Sequence, residues 1–204
     1  MNKRTLLLAT TNPGKAREIK RCLAGLPLKI LCLQDLKILA PFPEKGKTFQ
    51  ENARGKSLFF SRISKVLTLA EDSGLEIEAL GKAPGVYSAR FSAPRATDEK
   101  NIRKVLFLLR DIPRIQRKAR FVSLFCLALN GRVIKVVRGE VKGSIAQGKK
   151  GVFGFGYDPI FYYHPLRKTF AELGPEEKNK VSHRGRALKK LRHFLLQYIR
   201  ANST

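Results

Sequence analysis

Two adjacent carboxylates, Glu71 and Asp72, close the hydrophobic run Val66 to Ala70 in a chain poor in acids. Hard oxygen ligands at a strand end suit Mg2+, which keeps several waters and shares its other positions with substrate phosphates. A carboxylate there could also take a proton from an attacking water. The plainer alternative is a strand-end turn in which Asp72 caps Ser73-Gly74. Lys56 falls between Ala53 and Phe60 on the face that Phe49, Ala53, Phe60 and Ile63 should bury. A lysine on an inner helix face either snorkels or finds an anion, and a triphosphate is the sharper of those two readings.

Further segments carry phosphate and base chemistry. Thr10, Thr11, Asn12, Pro13, Gly14 and Lys15 join a strand to a helix. Amides at a helix N-terminus suit phosphate, and a lysine adds a point charge. This is not a Walker A loop, because the earlier glycine is missing, and an ordinary turn with a solvated lysine is the alternative. Gly154-Phe155-Gly156-Tyr157-Asp158-Pro159 is glycine-rich. Its glycines allow close backbone approach, an aromatic offers a flat face to a base, and Asp158 offers an acceptor for a ring N–H. A bulged turn is the alternative. Lys178 precedes Ser182-His183-Arg184-Gly185. The helix macrodipole disfavours cations in a first turn, so His183 and Arg184 there call for an acceptor such as a purine carbonyl oxygen. His164 and His193 lack such surroundings.

These groups need elements to hold them. Residues 4–10 read as a buried strand, 12–14 as a turn, 15–23 as a helix and 28–33 as a second strand. Thr48 and Glu51 spell a capping box before the helix that carries Lys56. Residues 66–71 and 75–80 read as strands on either side of Asp72-Ser73-Gly74. Thr97 to Leu109 reads as a helix. Residues 121–129 and 133–141 flank Asn130-Gly131, a hairpin signal. A last helix starts near His183, with Ser182 as its cap, and packs Leu188, Leu191, Leu195 and Tyr198. Alternating strands and helices followed by a hairpin predict a mixed α/β fold with a mixed sheet.

The chain has 204 residues, enough for a single domain over 1–204, and 43% of them are hydrophobic, which excludes global disorder. The longest apolar runs fall far short of the roughly 20 residues that span a bilayer. Leu6 to Ala9 is too short for a signal sequence and reads as a first strand of a cytoplasmic protein. Three scattered cysteines make neither a zinc site nor a disulfide framework, and read as buried thiols. Lys and Arg total 41 against 16 Asp and Glu, a formal net charge of +25. Such a surplus permits a polyanionic partner.

Taken in order, these segments resemble the inosine triphosphate pyrophosphatases. The resemblance runs from Ala9 to Leu191. It rests on Ala9 to Lys15, Thr48 to Ala53, Asp72 to Leu75, Pro84 to Arg90, Gly154 to Phe161 and Ser182 to Gly185. It implies an elongated mixed sheet flanked by helices, two lobes with an active-site cleft between them, and a homodimer. It implies Mg2+-dependent hydrolysis of ITP, dITP and XTP to the monophosphate and pyrophosphate, a cleansing of the nucleotide pool. By motif position, Thr10 to Lys15 hold phosphates. Asp72 is general base and metal ligand, with Glu44 as second metal ligand, and Lys56 is catalytic through phosphate. Ser73, Phe155, Gly156, Tyr157, Asp158, Lys178, His183 and Arg184 bind the nucleotide. Glu71 stands where many relatives have Asp, and Lys82 where Gly is usual.

A 6-keto purine presents an acceptor oxygen, whereas adenine presents an amine. Donor-only side chains would therefore reject adenine. Two other readings stay open: a modified pyrimidine triphosphate as substrate, and a basic nucleic-acid-binding protein. The second is supported by charge alone, with no recognised nucleic-acid motif, and nucleic acid is not expected as a specific partner.

Overall fold

The computed structural model describes residues 4–202. In chain order its elements are β1 (Arg4–Ala9), α1 (Pro13–Cys22), β2 (Leu28–Cys32), α2 (Phe49–Ser64), β3 (Leu67–Ile77) and α3 (Asp98–Leu108). There follow β4 (Lys118–Leu129), β5 (Arg132–Ile145), β6 (Phe161–Tyr163), β7 (Lys168–Thr169), α4 (Pro175–Val181) and α5 (His183–Ala201). The strands form one seven-stranded sheet in the order β2-β1-β3-β4-β5-β6-β7. β1 is parallel to β2 and β3, while β5, β6 and β7 pair antiparallel. The sheet is mixed and the fold is α/β, as the element pattern predicts.

The chain divides into two compact units. The first comprises Met1–Asp72, Ser123–Gly139 and Arg184–Thr204, the second Ser73–Val122 and Glu140–His183. In the first, β1 is apolar on both faces, as a parallel strand covered by helices on each side must be. Leu6 and Leu8 pack with Ile19 of α1, with Leu23 just past its end, and with Leu188, Leu191 and Leu195 of α5. Leu7 and Ala9 pack on the opposite side with Phe60 of α2 and Ala70 of β3. The second unit has its own core, in which Ile102 and Val105 of α3 meet Leu75, Phe121, Phe161 and Phe170.

Local chemistry explains most boundaries. Asn12 caps α1 by accepting the Lys15 amide at 3.0 Å, with Pro13 in the first turn. Asn12-Pro13-Gly14 is therefore the start of the helix rather than a turn before it. Thr48 accepts the Glu51 amide at 3.1 Å, but the Glu51 carboxylate takes the Lys47 amide at 2.7 Å, one residue earlier than a capping box expects. Asn130 and Gly131 both have positive φ, 49° and 74°, which a two-residue hairpin turn requires.

Two expectations fail. Strand β3 runs unbroken through Asp72-Ser73-Gly74 to Ile77, because Ser73 and Gly74 stay extended and the chain turns only after Ile77. Ile63 lies on the solvent side of α2, 47% exposed, beyond the stretch where Phe49, Ala53 and Phe60 are covered. Among the cysteines, Cys126 is buried, whereas Cys22 and Cys32 are half-buried, and all three are free thiols. No helix among the described residues is long and apolar enough to cross a membrane.

Leu191 is fully buried where α5 meets β1. Leu191→Ala is expected to lose about 2–5 kcal/mol, as other buried leucine truncations do. Urea unfolding should show a lowered midpoint with an unchanged slope.

Candidate active site

Side chains alternate along a strand, so β3 decides which way each carboxylate points. Leu67 and Leu69 belong to the core beneath α1 and α5, and Ala70 to the core beneath α2. Glu71 continues the first series and Asp72 the second. Two acids adjacent in sequence thus enter different surroundings.

Glu71 is buried within an ionic network. Its Oε1 accepts the Ser123 hydroxyl at 2.6 Å and Arg184 Nε at 2.9 Å, and the Lys15 ammonium lies 3.6 Å from Oε2. Arg184 also pairs through Nη1 with Glu18 of α1. Burial disfavours the guanidinium charge, but Glu71 and Glu18 outweigh it and hold the pKa above its ordinary value.

Asp72, also buried, accepts Asn52 Nδ2 at 2.9 Å. The other end of the same amide, Asn52 Oδ1, takes the Gly46 amide at 2.8 Å. Asn52 therefore ties the loop before α2 to the carboxylate on β3. A Cβ on Gly46 would stand 2.6 Å from that oxygen, so the backbone can approach only because the residue is glycine. Lys56 pairs with Glu44 and donates to the Glu71 carbonyl at 3.3 Å. Burial pushes the Asp72 carboxyl above the usual carboxylate range and Glu44 adds to the rise, while Lys15, Asn52 and Lys56 pull it back. Beside this group lies the exposed entry to α1. There Thr11 and Asn12 are open to solvent, and the Thr10 hydroxyl accepts the Asn12 amide at 3.2 Å.

The second unit builds its own constellation. Gly154 and Gly156 hold φ of 82° and 61°, so the loop curls around Asp158. A Cβ on Gly154 would collide with that carboxylate. Asp158 Oδ2 accepts the Phe155 amide at 2.9 Å and Lys178 Nζ at 2.5 Å. Both members of the ion pair are buried. The Lys178 ammonium sits 4.9 Å from the Phe155 ring centroid, within cation–π range. Gly156 donates its amide to Asp98 at 2.7 Å. Tyr157 is turned inward, with its hydroxyl donating to the Ser88 carbonyl at 2.8 Å. Burial, followed by Asp98, raises the pKa of this phenol and keeps it a donor. His183 is buried and stacks on Phe121 at 4.6 Å.

The structure thus gathers Lys15, Glu44, Lys56 and Asp72 in the first unit, and Phe155, Asp158 and Lys178 in the second. Ser73 follows Asp72 in β3, half-buried.

A model of the Ham1 family matches residues 6–194. The chain belongs to the Ham1 family. It is 41% identical to the dITP/XTP pyrophosphatase of Caldanaerobacter subterraneus over 198 residues, 97% of this chain and 98% of that one. It is 46% identical to the dITP/XTP pyrophosphatase of Thermus thermophilus over 186 residues, 91% of this chain and 89% of the other. The solved HAM1 protein of Coxiella burnetii superposes with a TM-score of 0.87 at 38% identity, covering 95% of this chain and 99% of that one.

Sequence reasoning about this Ham1 chain missed Asn52 and Glu18 as partners of its charged groups. Asn52 lies four residues before Lys56, on the same helix face, and a buried amide beside an inward lysine was the available signal. Glu18 had none, since its partner Arg184 lies 166 residues away.

The Asp72 carboxyl titrates higher in the folded chain than unfolded. The folded state is therefore penalised by ionisation above that pKa and relieved as pH falls through it. Asp72→Asn keeps an acceptor for Asn52 and removes the buried charge. In the metal-free protein its melting temperature should exceed that of the parent at neutral pH by a few degrees, about 2–4 °C per kcal/mol at this length. The gap should close on acidification. Calorimetry across pH in EDTA reads it directly, and a lower melting temperature at neutral pH would mean the lysines outweigh burial.

Proposed function

We propose that this chain is a nucleoside-triphosphate pyrophosphatase that hydrolyses ITP, dITP and XTP to the monophosphate and pyrophosphate. The observation that carries the proposal is a buried carboxylate, Asp72, set among Lys15, Lys56 and Asn52, in a chain whose relatives over nearly its whole length are dITP/XTP pyrophosphatases. The reading also makes the protein a cytoplasmic homodimer that clears its substrates from the nucleotide pool.

In this mechanism the first unit handles the triphosphate. Residues Thr10 to Lys15 offer amides, hydroxyls and one ammonium to phosphate oxygens. Water attacks the α-phosphorus and Asp72 accepts its proton. The bond from that phosphorus to the α–β bridging oxygen breaks, and pyrophosphate leaves with Lys15 and Lys56 beside its charge. A carboxyl pKa raised by burial makes Asp72 a better base than a solvated aspartate. Asn52 fixes the orientation of the carboxylate.

Mg2+ is the proposed cofactor. Among the described residues, no cluster of three or more His, Cys, Asp or Glu side chains could hold a metal ion alone. Mg2+ needs only one or two carboxylates when waters and phosphates complete its shell. Glu44 and Asp72 fit that part, since Glu44 disfavours the charge on Asp72 and a divalent ion would relieve it. When bound, the ion would neutralise phosphate charge. Glu71 is committed to Ser123 and Arg184 and is no candidate ligand.

The second unit handles the purine. Phe155 offers its face, and Lys178, donor-only and fixed by Asp158, offers a proton to the 6-keto oxygen. Ser73, Gly156, Tyr157 and His183 shape this part. Arg184, held by Glu71 and Glu18 in the first unit, stays a proposed nucleotide contact. Adenine would leave donor facing donor, worth about 1–3 kcal/mol.

Pyrophosphate release should be fast from ITP, dITP and XTP with Mg2+, slow from ATP, GTP and dTTP, and absent in EDTA. Asp72→Asn should lose about two to four orders of magnitude in turnover while still binding ITP, and near-normal turnover would sink the base assignment. Lys178→Met should narrow the preference for ITP over ATP by about tenfold or more, the kinetic equivalent of that 1–3 kcal/mol. An unchanged ratio would remove Lys178 from base selection.

A further inference from the structure

The positive charge is not evenly spread over the helices. α2, α3 and α4 each expose at least one carboxylate: Glu51, Asp98 with Glu99, and Glu176 respectively. α1 and α5 expose none. α5 carries six Lys and Arg and no Asp or Glu. The lone acid of α1, Glu18, is turned inward onto Arg184. The exposed Lys and Arg of these helices are Arg17, Lys20 and Arg21 on α1, and Arg186, Lys189, Lys190 and Arg200 on α5.

These residues form one face. α1 and α5 pack on the same side of β1 through Ile19, Leu23, Leu188 and Leu191. Arg192 of α5 donates to the Ala24 carbonyl just past α1, at 2.8 Å. β5 extends the surface, where Lys190 donates to the Arg138 carbonyl at 2.9 Å and Lys135 lies over the Phe194 ring. Mixed signs are the ordinary state of a soluble surface. A two-helix layer that exposes Lys and Arg and no carboxylate carries a self-repulsion that a polyanion relieves.

We propose that the α1–α5 face docks double-stranded nucleic acid through its phosphate backbone, without sequence selection. Counterion release from a polyphosphate rewards a dense set of exposed Lys and Arg. A membrane surface fits less well, because anchoring there needs apolar side chains beside the cations, and none of the large exposed hydrophobic residues lies on α1 or α5. Single strands fit less well too, since no exposed aromatic platform for base stacking stands on these helices. The docking surface uses none of the residues assigned to nucleotide hydrolysis.

Fluorescence anisotropy with a random-sequence DNA duplex of about two dozen base pairs tests this, titrated from about 50 to 200 mM KCl. The parent should bind in the micromolar range with a linear log–log salt dependence. The variant K20Q/R21Q/K189Q/K190Q should weaken binding about tenfold or more and flatten the slope by about 3–4, with pyrophosphate release unchanged. A control with the same loss of charge elsewhere, K82Q/K118Q/K142Q/K168Q, should bind like the parent. Equal loss in both variants would reduce the effect to net charge and overturn the assignment of a face. Absence of binding at the lowest salt, or tighter binding to phosphatidylserine vesicles than to duplex, would overturn it as well.

Discussion

Strand alternation at two consecutive residues organises the first unit. β3 must bury both faces, so it can carry acids only where each face supplies partners. Glu71 falls on the side of α1 and α5 and is met by Ser123, Lys15 and Arg184. Asp72 falls on the side of α2 and accepts the neutral Asn52 amide, with lysines near enough to moderate its charge. A single strand therefore separates a carboxylate inside an ionic network from the one proposed as the base. Glu71 lies in a closed network, where removing one charge strands another at about 3–5 kcal/mol. Asp72 is less compensated, its pKa is raised, and it is the one suited to take up a proton.

The second unit solves a related problem by other means. Asp158 and Lys178 are a buried ion pair, and such pairs are weak contributors to net stability because desolvation offsets their attraction. Direction is what this pair supplies. The carboxylate is fixed by the Phe155 amide and by a loop that only glycine at 154 permits. It in turn fixes an ammonium against the face of Phe155. A donor held by a buried partner and an aromatic plane does not reorient freely, and the proposed rejection of the wrong base would draw on that stiffness.

Features set by neighbours in the chain were legible in the sequence. The cap at Thr48 and the turn at Asn130-Gly131 stand where residue chemistry predicts them, whereas Asn12-Pro13-Gly14, read as a turn, caps and opens α1. The order of strands and helices gave the mixed sheet. What failed depends on distant partners. Asp72-Ser73-Gly74 has the composition of a turn, yet pairing within a sheet keeps it extended. Glu71 and Asp72 looked like one acidic site because only the continuation of the strand shows that they diverge. Tyr157 shares a motif with Phe155, yet its hydroxyl finds the Ser88 carbonyl inside the core. Ile63 kept the apolar spacing of α2 but lies where nothing covers the helix.

The charge excess takes on a different meaning once burial is known. Lys15, Lys56, Lys178 and Arg184 are each matched to a carboxylate inside their own unit. Several of the chain's few acids are thus engaged by buried or half-buried cations. The rest of the basic surplus is left at the surface with little to neutralise it. On α3 and α4 the remaining acids cluster in the first turn, where the helix dipole favours them. α1 and α5 lack that option, because Glu18 is drawn inward by Arg184 and α5 has no acid to place. The same ion pair that completes the buried network beneath β3 therefore strips the outer face of α1 of its lone negative charge, so the interior of the first unit and the character of its surface follow from one residue.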